Sequence, residues 1–495
     1  MIESTVHPWQ EVTPLPQLNG SVDPILATVD ALRTAWEDFI AHVSAEEFAE
    51  ARQRSLRRHA IETGIIERLY DVDWGVTEAL VAEGLTREVA EREGGIDEDA
   101  LETITAQFDA LSFLADAEQR GQPLTPFFIR QLHQLITTTQ STYDATDALG
   151  QAVDAPLHRG QWKTQPNHVR RPDGTLLEYT PPEHVQSEID RLTELFEASS
   201  DAHPIVRAAW LHHRFICIHP FEDGNGRVAR ALVLLVLLAA NYSPLVVDRT
   251  RRDEYLRTLD AANDGDLLPL IRLFAQLEIV ALRSELEVPA PSPRVGQTAV
   301  DVAESVVERL RGVKLGTDEA RAAAVASVAE SVRARVESEL SEQAARLKGA
   351  FLQLDPKANA WTASAKPPDK RAKYWRIQLI DAARAVSFFT NLNDGTWWVQ
   401  LSVSALGVEL RYVVATQKVG HGETGVVAVT VFAESVVPRA PEADWEPPAA
   451  LIRPTSADSV TLTEKDSVDD RWAEICEVIE RTLAAAVAEF GKLLA

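Results

Sequence analysis

His219-Pro-Phe-Glu-Asp-Gly-Asn-Gly-Arg-Val-Ala-Arg230 lies between two apolar segments, and the fold around it can be read outward from this stretch. The residue before a proline is disfavoured in the helical region, so the apolar segment 208–218 reads as a helix that ends at or just before His219. A tight loop over 222–225 follows. A second helix starts near Gly226 and runs into the apolar block that ends at Ala240. The pattern is therefore helix, loop, helix.

That geometry suits an anion. A helix start presents backbone N–H groups without intrahelical acceptors at the positive end of a dipole. Gly224 and Gly226, flanking Asn225, permit the backbone to turn and to approach a ligand closely, so residues 224–226 read as a nest for phosphate. Arg227 and Arg230 are three apart and emerge on one side of the first turn, where guanidinium groups can pair with phosphate oxygens. Asp223 offers a hard oxygen to Mg²⁺, which a triphosphate needs. His219 is the candidate general base: with an unperturbed pKa of about 6.5, an imidazole is mostly neutral at cell pH and can take a hydroxyl proton. Taken singly, each feature has an ordinary structural explanation. A histidine before proline is commonly structural, Gly-Asn-Gly alone is a turn, and two helical arginines alone are a solvated face. Their conjunction at fixed spacing favours chemistry. Phe221 reads as an apolar anchor for the loop, and His212 and His213 as packing or hydrogen-bonding residues.

Outward from the motif, helical periodicity is expected over 22–43 (Ile25, Val29, Leu32, Trp36, Phe39 and Ile40 on one face) and over about 45–69. Asp97 can cap a third helix, and Thr125-Pro126 starts a fourth. Residues 157–180, with Gly160, Pro166 and Pro172-Asp173-Gly174, read as a hairpin or extended flap before helices return over 183–277. The proline-rich stretch 289–293 marks a boundary. Beyond it, Val302, Val306, Leu310 and Val313, and then Val325, Val328, Val332, Val336 and Leu340, keep helical spacing, as in a long helical hairpin. After Pro367-Pro368, strands are expected over 374–380, 396–404, 408–415 and 426–432, with a closing amphipathic helix over 470–494. The segments expected are 1–110 (N-terminal helical), 111–288 (catalytic core), 295–355 (long helical) and 356–495 (a smaller α+β part). The fold class is mainly α: an all-helical core with a β-hairpin flap, long helices, and an α+β end.

At 495 residues the chain is long enough for two or three domains. A net charge of −26 disfavours nucleic acid and anionic membrane as generic partners. The two cysteines, Cys217 and Cys476, form no framework, which suits a reducing compartment. No basic region followed by an apolar run opens the chain, and the apolar block 231–240 is too short to span a bilayer. A cytoplasmic location is expected.

The motif from His219 to Arg230 resembles, at its defining positions, the signature of the Fic family, which transfers AMP from ATP to protein hydroxyls. The resemblance extends over roughly residues 20–285. It implies that His219 deprotonates the target hydroxyl, Asp223 holds Mg²⁺, Gly224, Asn225 and Gly226 form the anion hole, and Arg227 and Arg230 hold the phosphates of ATP. Gly226 stands where the phosphorylating branch of the family has Lys, which argues for AMP transfer. Residues 157–180 resemble the flap along which a target protein docks by strand addition. Residues 255–268 resemble the nucleoside-side helix and loop, with Asn263 as a ribose or adenine contact or, equally, a helix cap. His59-Ala60-Ile61-Glu62-Thr63-Gly64 resembles an inhibitory helix, in which Glu62 would pair with Arg230 and block productive ATP binding. The family prefers Ser or Thr four residues before that Glu and Gly or Asn after it. Here Arg58 and Thr63 stand there, and Glu67 is the secondary candidate. The implied activity is a protein adenylyltransferase, autoinhibited, with self-modification as a side activity. Removal of AMP at the same site and a nucleotide-regulated binding scaffold are the alternatives. The resemblance is silent on residues 295–495 and their six tryptophans, and homo-oligomerisation stays open. Among the lysines and arginines of 366–376 the expectation is a solvated linker.

Overall fold

The structure, a computed structural model, describes residues 6–18, 20–40, 45–94, 96–146, 152–171, 174–286, 319–420, 424–436, 448–464 and 466–494. The boundary at 289–293 and the spacing at Val302, Val306, Leu310 and Val313 lie outside these residues. In chain order the first helices are α1 (Asp23–Ile40), α2 (Ala45–Ile66), α3 (Trp74–Glu83), α4 (Arg87–Glu93), α5 (Glu98–Gln119) and α6 (Pro126–Ile136). Then come α7 (Val185–Ala198), α8 (Pro204–Ile218), α9 (Asn225–Ala239), α10 (Arg252–Asn263) and α11 (Leu268–Glu285). The last three are α12 (Glu319–Phe351), α13 (Arg376–Ala385) and α14 (Val468–Leu494). The chain is mainly helical, and its described residues form two small sheets and a larger antiparallel sheet near its C-terminal end.

Two compact units emerge: residues 1–22 with 49–278, and residues 23–48 with 279–495. They cut across the segments 1–110, 111–288, 295–355 and 356–495. Helix α1 belongs with the C-terminal unit, and α12 packs into the same core as the sheet that follows it.

In the first unit, capping and periodicity act as the sequence implies. Asp97 accepts the Ala100 N–H to open α5, and Thr125 accepts the Phe128 N–H with Pro126 in the first turn of α6. Helix α9 is buried on every side from Val228 to Leu238, as a central helix must be. Around it pack α5, α6 and α8. Strands β1 (Val6–His7), β4 (Val169–Arg170) and β5 (Leu176–Leu177) form a small sheet in the order β1-β5-β4, so the flap region carries a short hairpin joined by the N-terminal strand. Strands β2 (Thr142–Thr146) and β3 (Ala152–Pro156) make a hairpin that periodicity had not marked.

The second unit is built on an antiparallel sheet. Its path is β11 (Ala449–Ile452), β10 (Val426–Val436), β9 (Val408–Val419), β8 (Trp397–Ala405) and β6 (Asn359–Ala365). Strand β7 (Thr390–Asn391) pairs with β9, and β12 (Ser459–Thr463) pairs with β10. Val399, Leu401 and Val403 point to one face, where α12 and α14 cover them with Val332, Val336, Ile475 and Ile479. Trp398, Val413 and Phe432 point to the other, against Trp375 and Leu379. Both faces are covered, so the strands read as continuous rather than alternating apolar runs. One expectation is corrected here. Residues 374–380 are not a strand: Trp375, Leu379, Ala382 and Ala383 follow a spacing of four, three and one, a single helical face, and the chain runs from a short 3₁₀ turn at Lys370–Lys373 through Tyr374 and Trp375 into α13. The alternation in Tyr374–Ile380 was too short to outweigh it; Tyr374 and Ile377 are exposed.

Candidate active site

Helix α8 ends at His219, which adopts a left-handed conformation (φ 50°, ψ 58°). Helices commonly end this way, usually on glycine, and the turn swings the histidine out of the helix line. The imidazole stacks on Tyr179, with ring centroids 4.0 Å apart and planes at 5°. Its Nδ1 lies 3.3 Å from the Ile216 carbonyl. A carbonyl only accepts, so Nδ1 carries the proton and Nε2 is left with its lone pair. Burial, reinforced by the Lys163 ammonium, pushes the imidazole pKa down to about 3. The ring is therefore neutral at cell pH, in the state a proton acceptor requires.

The loop after it is tied internally. Asn225 Oδ1 accepts the Phe221 N–H and Asn225 Nδ2 donates to the Phe221 carbonyl, both at 2.9 Å. Asn225 is thus an architectural member of the nest. Gly224 has φ 79°, and a Cβ there would stand 3.0 Å from Thr137 and 3.3 Å from His133, so glycine is required twice over. Helix α9 begins at the next residue and aims its first N–H groups across the loop.

Asp223 projects from the loop. Burial pushes its carboxyl up, but Arg227 and hydrogen bonds from Gln140 and the Gly224 N–H outweigh this and hold it below the usual carboxylate range. Gln140 Nε2 donates to Asp223 Oδ2 at 2.5 Å, while Gln140 Oε1 accepts from Arg227 at 2.6 Å. One side-chain amide therefore sits between the candidate metal ligand and a candidate phosphate ligand. His133 is a second such support. Its Nε2 meets the Asp223 carbonyl at 3.0 Å, its Nδ1 accepts the Gly160 N–H at 2.8 Å, and its ring stacks on Phe221 at 3.7 Å. Neither residue was expected from sequence. Gln140 follows α6 without local signal; His133 does lie on the buried face of that helix, the one clue available. His133→Ala leaves the Asp223 carbonyl and the Gly160 N–H buried without their partner, at about 1–3 kcal/mol each. A fall in denaturation midpoint is expected, and an unchanged midpoint would contradict the assignment.

Arg230 is where sequence and structure part. Its Nε donates to Thr63 Oγ1 at 2.6 Å and one terminal nitrogen donates to Glu67 Oε1 at 2.6 Å. Glu62 does not reach it. The Glu62 carboxylate is fully buried against Arg249, accepting that residue's backbone N–H at 2.9 Å and its guanidinium at 2.8 Å. The expected Glu62–Arg230 pair is thus replaced by Glu67–Arg230. The physical reason is helical phase: Glu62 and Glu67 are five residues apart and project in directions differing by well over a right angle. Thr63, which also bonds Arg230, stands four residues before Glu67, and Arg68 after it has φ 59°. Glu67 Oε1 also lies 2.2 Å from where a Cβ on Gly226 would stand. A carboxylate already rests on the glycine at the head of α9. Asn263 makes a different contact: its Oδ1 meets His213 Nε2 at 3.0 Å, and Cys217 lies beside both. His212 pairs with the Tyr255 hydroxyl at 2.8 Å.

A model of the Fic/DOC family matches residues 123–237, which run from the start of α6 through the loop to α9. Residues 123–237 are a Fic/DOC family domain. The protein adenylyltransferase Fic of Drosophila willistoni is 35% identical over 116 residues, 23% of this chain and 23% of that protein. Its counterpart in Drosophila melanogaster is 34% identical over 116 residues, 23% of this chain and 24% of that protein. The chain thus spans about a quarter of the length of these relatives. Among solved structures, a Fic domain-containing signalling protein from Bacteroides thetaiotaomicron is 24% identical, covering 53% of this chain and 96% of that one, with a TM-score of 0.44. Fic-1 from C. elegans is 22% identical, covering 53% and 71%, with a TM-score of 0.42. Glu67 and its helix lie N-terminal to the Fic domain match.

The Fic domain and its N-terminal flank bury four further neutral histidines. Burial holds His59, His133 and His213 down at about 4 and His212 well below its ordinary value. An unfolded histidine takes up a proton below about pH 6.5 while these do not, so stability falls as pH drops from there toward about 4. Each group removes about 1.4 kcal/mol per pH unit, and the four together about 5. Urea unfolding at pH 7 and at pH 5.5 should show a large drop in midpoint; equal midpoints would reject the buried-neutral assignment.

Proposed function

We propose that the Fic domain transfers AMP from MgATP to a hydroxyl of a protein, with the attack at the α-phosphate and pyrophosphate as leaving group. The observation that carries this reading is the Glu67 carboxylate resting on Gly226 and Arg230 at the head of α9, one short loop from a neutral His219. The site has the chemistry for phosphates. Arg227 Nε is buried without a hydrogen-bond partner, and the α9 N-terminus and Arg230 face the same cradle. Asp223, whose carboxyl is ionised and 41% exposed, is the residue that would hold Mg²⁺. That ion supplies charge neutralisation at the phosphates when bound. His219 Nε2 takes the acceptor hydroxyl's proton as its oxygen attacks. Arg227 and Arg230 stabilise charge on the phosphate oxygens, a contribution of fixed donors rather than of reorganisation. Gly226 leaves room that a side chain would fill, in keeping with AMP rather than phosphate transfer.

Glu67 is the inhibitory residue in this reading. While it neutralises Arg230, a phosphate oxygen cannot, so triphosphate settles without its full set of contacts. The flap hairpin would dock the target by strand addition, with specificity low because main-chain bonds dominate. Asn263 as a nucleoside contact, self-modification, and action on cytoplasmic targets belong to the same proposal.

The test is the intact mass of the Glu67→Gly protein after incubation with MgATP. The mass of AMP added to the protein itself or to an added acceptor supports the reading, and the mass of a phosphate, or no addition, counts against it.

A further inference from the structure

His219 holds a left-handed conformation that a non-glycine residue adopts only when its surroundings impose it. Beyond the end of α8, the carbonyls of residues 218–221 have left the helical ladder, and Pro220 has no N–H to help restore order. All four carbonyls find donors in one short segment of the flap base. Lys163 Nζ donates to the Ile218 carbonyl at 3.3 Å, and the Lys163 backbone N–H donates to the Pro220 carbonyl at 2.8 Å. Asn167 Nδ2 donates to the His219 carbonyl at 3.4 Å and the Phe221 carbonyl at 2.8 Å. Lys163 Nζ in turn donates to Asn167 Oδ1 at 2.6 Å, which fixes the amide with its NH₂ toward the carbonyls.

Lys163 is 2% exposed, and it meets Asn167, the Ile218 carbonyl and the face of Tyr179, 5.9 Å from the ring centre. None of these is a carboxylate, and burial pulls the Lys163 amine down to about 7, so whatever charge it keeps there is held at a cost. Tyr179 is also the ring on which His219 stacks, and the Thr180 N–H donates to the Cys217 carbonyl at 3.3 Å, so the far end of the flap holds the same turn.

We infer that Lys163 and Asn167 form a clamp on four successive carbonyls of the catalytic loop and are positioning residues for His219, acting on the transfer step through it. This rests on the proposed AMP transfer for its catalytic consequence but not for its structural one. The clamp touches none of Gly226, Arg227 and Arg230, so nucleotide affinity should be spared.

The variants are Asn167→Asp, which keeps size and the acceptor for Lys163 while deleting both donors, and Lys163→Arg, which keeps a cation with donors. Each is made in the Glu67→Gly protein. Two measurements are taken: single-turnover incorporation of α-labelled ATP with Kd for ATP, and amide hydrogen exchange over residues 216–223. Asn167→Asp should slow transfer about tenfold with Kd for ATP little changed, since losing the clamp frees a conformation disfavoured to that extent. Exchange of the His219 amide, which donates to the Phe215 carbonyl, should speed up by a similar factor. Lys163→Arg should retain more of the transfer rate than Lys163→Met. Unchanged exchange in Asn167→Asp overturns the clamp whether or not the parent transfers AMP. Faster exchange with an unchanged transfer rate overturns the positioning role. If the parent transfers nothing, AMP transfer fails as a reading, and the exchange result alone decides the clamp.

Discussion

His219→Ala, made in the Glu67→Gly protein, loses transfer of α-label by about 10²–10⁴-fold, the range that a positioned general base contributes. The ring leaves Tyr179 unstacked but removes no phosphate contact, so binding of MgATP persists. The distinction matters because the loop is tightly interlocked. Were the loss due to collapse of the Gly224–Gly226 nest, affinity would fall with rate. Equilibrium binding of ATP to the same variant separates the two, and a transfer rate within tenfold of the parent would remove His219 from the role of base.

Glu62 and Glu67 should respond in opposite ways, although they lie only five residues apart, one in the last turns of α2 and the other just past its end. Glu62→Ala leaves Arg249, which also bonds Thr77 and the Val72 carbonyl, without its carboxylate in a buried place. Breaking such a pair costs about 3 kcal/mol, roughly 10 °C in Tm. No activation is expected. Glu67→Gly costs less, because its carboxylate is a third exposed and water can reach Arg230 in its place. It should raise transfer instead, by freeing Arg230 and the space over Gly226. Thermal unfolding and label incorporation on both variants decide the matter. Activation by Glu62→Ala with no change in Tm would return the inhibitory role to Glu62.

That pair also shows how far sequence reading reached. The motif was legible because its chemistry is local: a proline, two glycines and two arginines three apart dictate helix, loop, helix without help from the rest of the chain. Which glutamate pairs with Arg230 was legible only to within the end of α2 and the turn after it. Helical phase decides which of two glutamates faces Arg230, and the phase depends on how Thr63 and Arg249 pack, which spacing alone does not express. Thr63 four residues before Glu67 was the available signal. Gln140, His133, Lys163 and Asn167 were not marked at all, since each acts across tens of residues on a loop it meets only in the fold. In the C-terminal unit the three long strands were readable from β-branched runs. The segment at Trp375–Ala383 was not, because seven alternating residues hid a helical face that becomes visible only over nine.

On the proposed reading, His219 drives AMP transfer and Glu67 restrains it. The most direct test compares incorporation of α-labelled and γ-labelled ATP by three proteins: the native chain, Glu67→Gly, and Glu67→Gly with His219→Ala. Little α-label is expected on the first, strong α-label on the second, loss of it on the third, and no γ-label on any. γ-label on the Glu67→Gly protein, or α-label that survives the loss of His219, would contradict it.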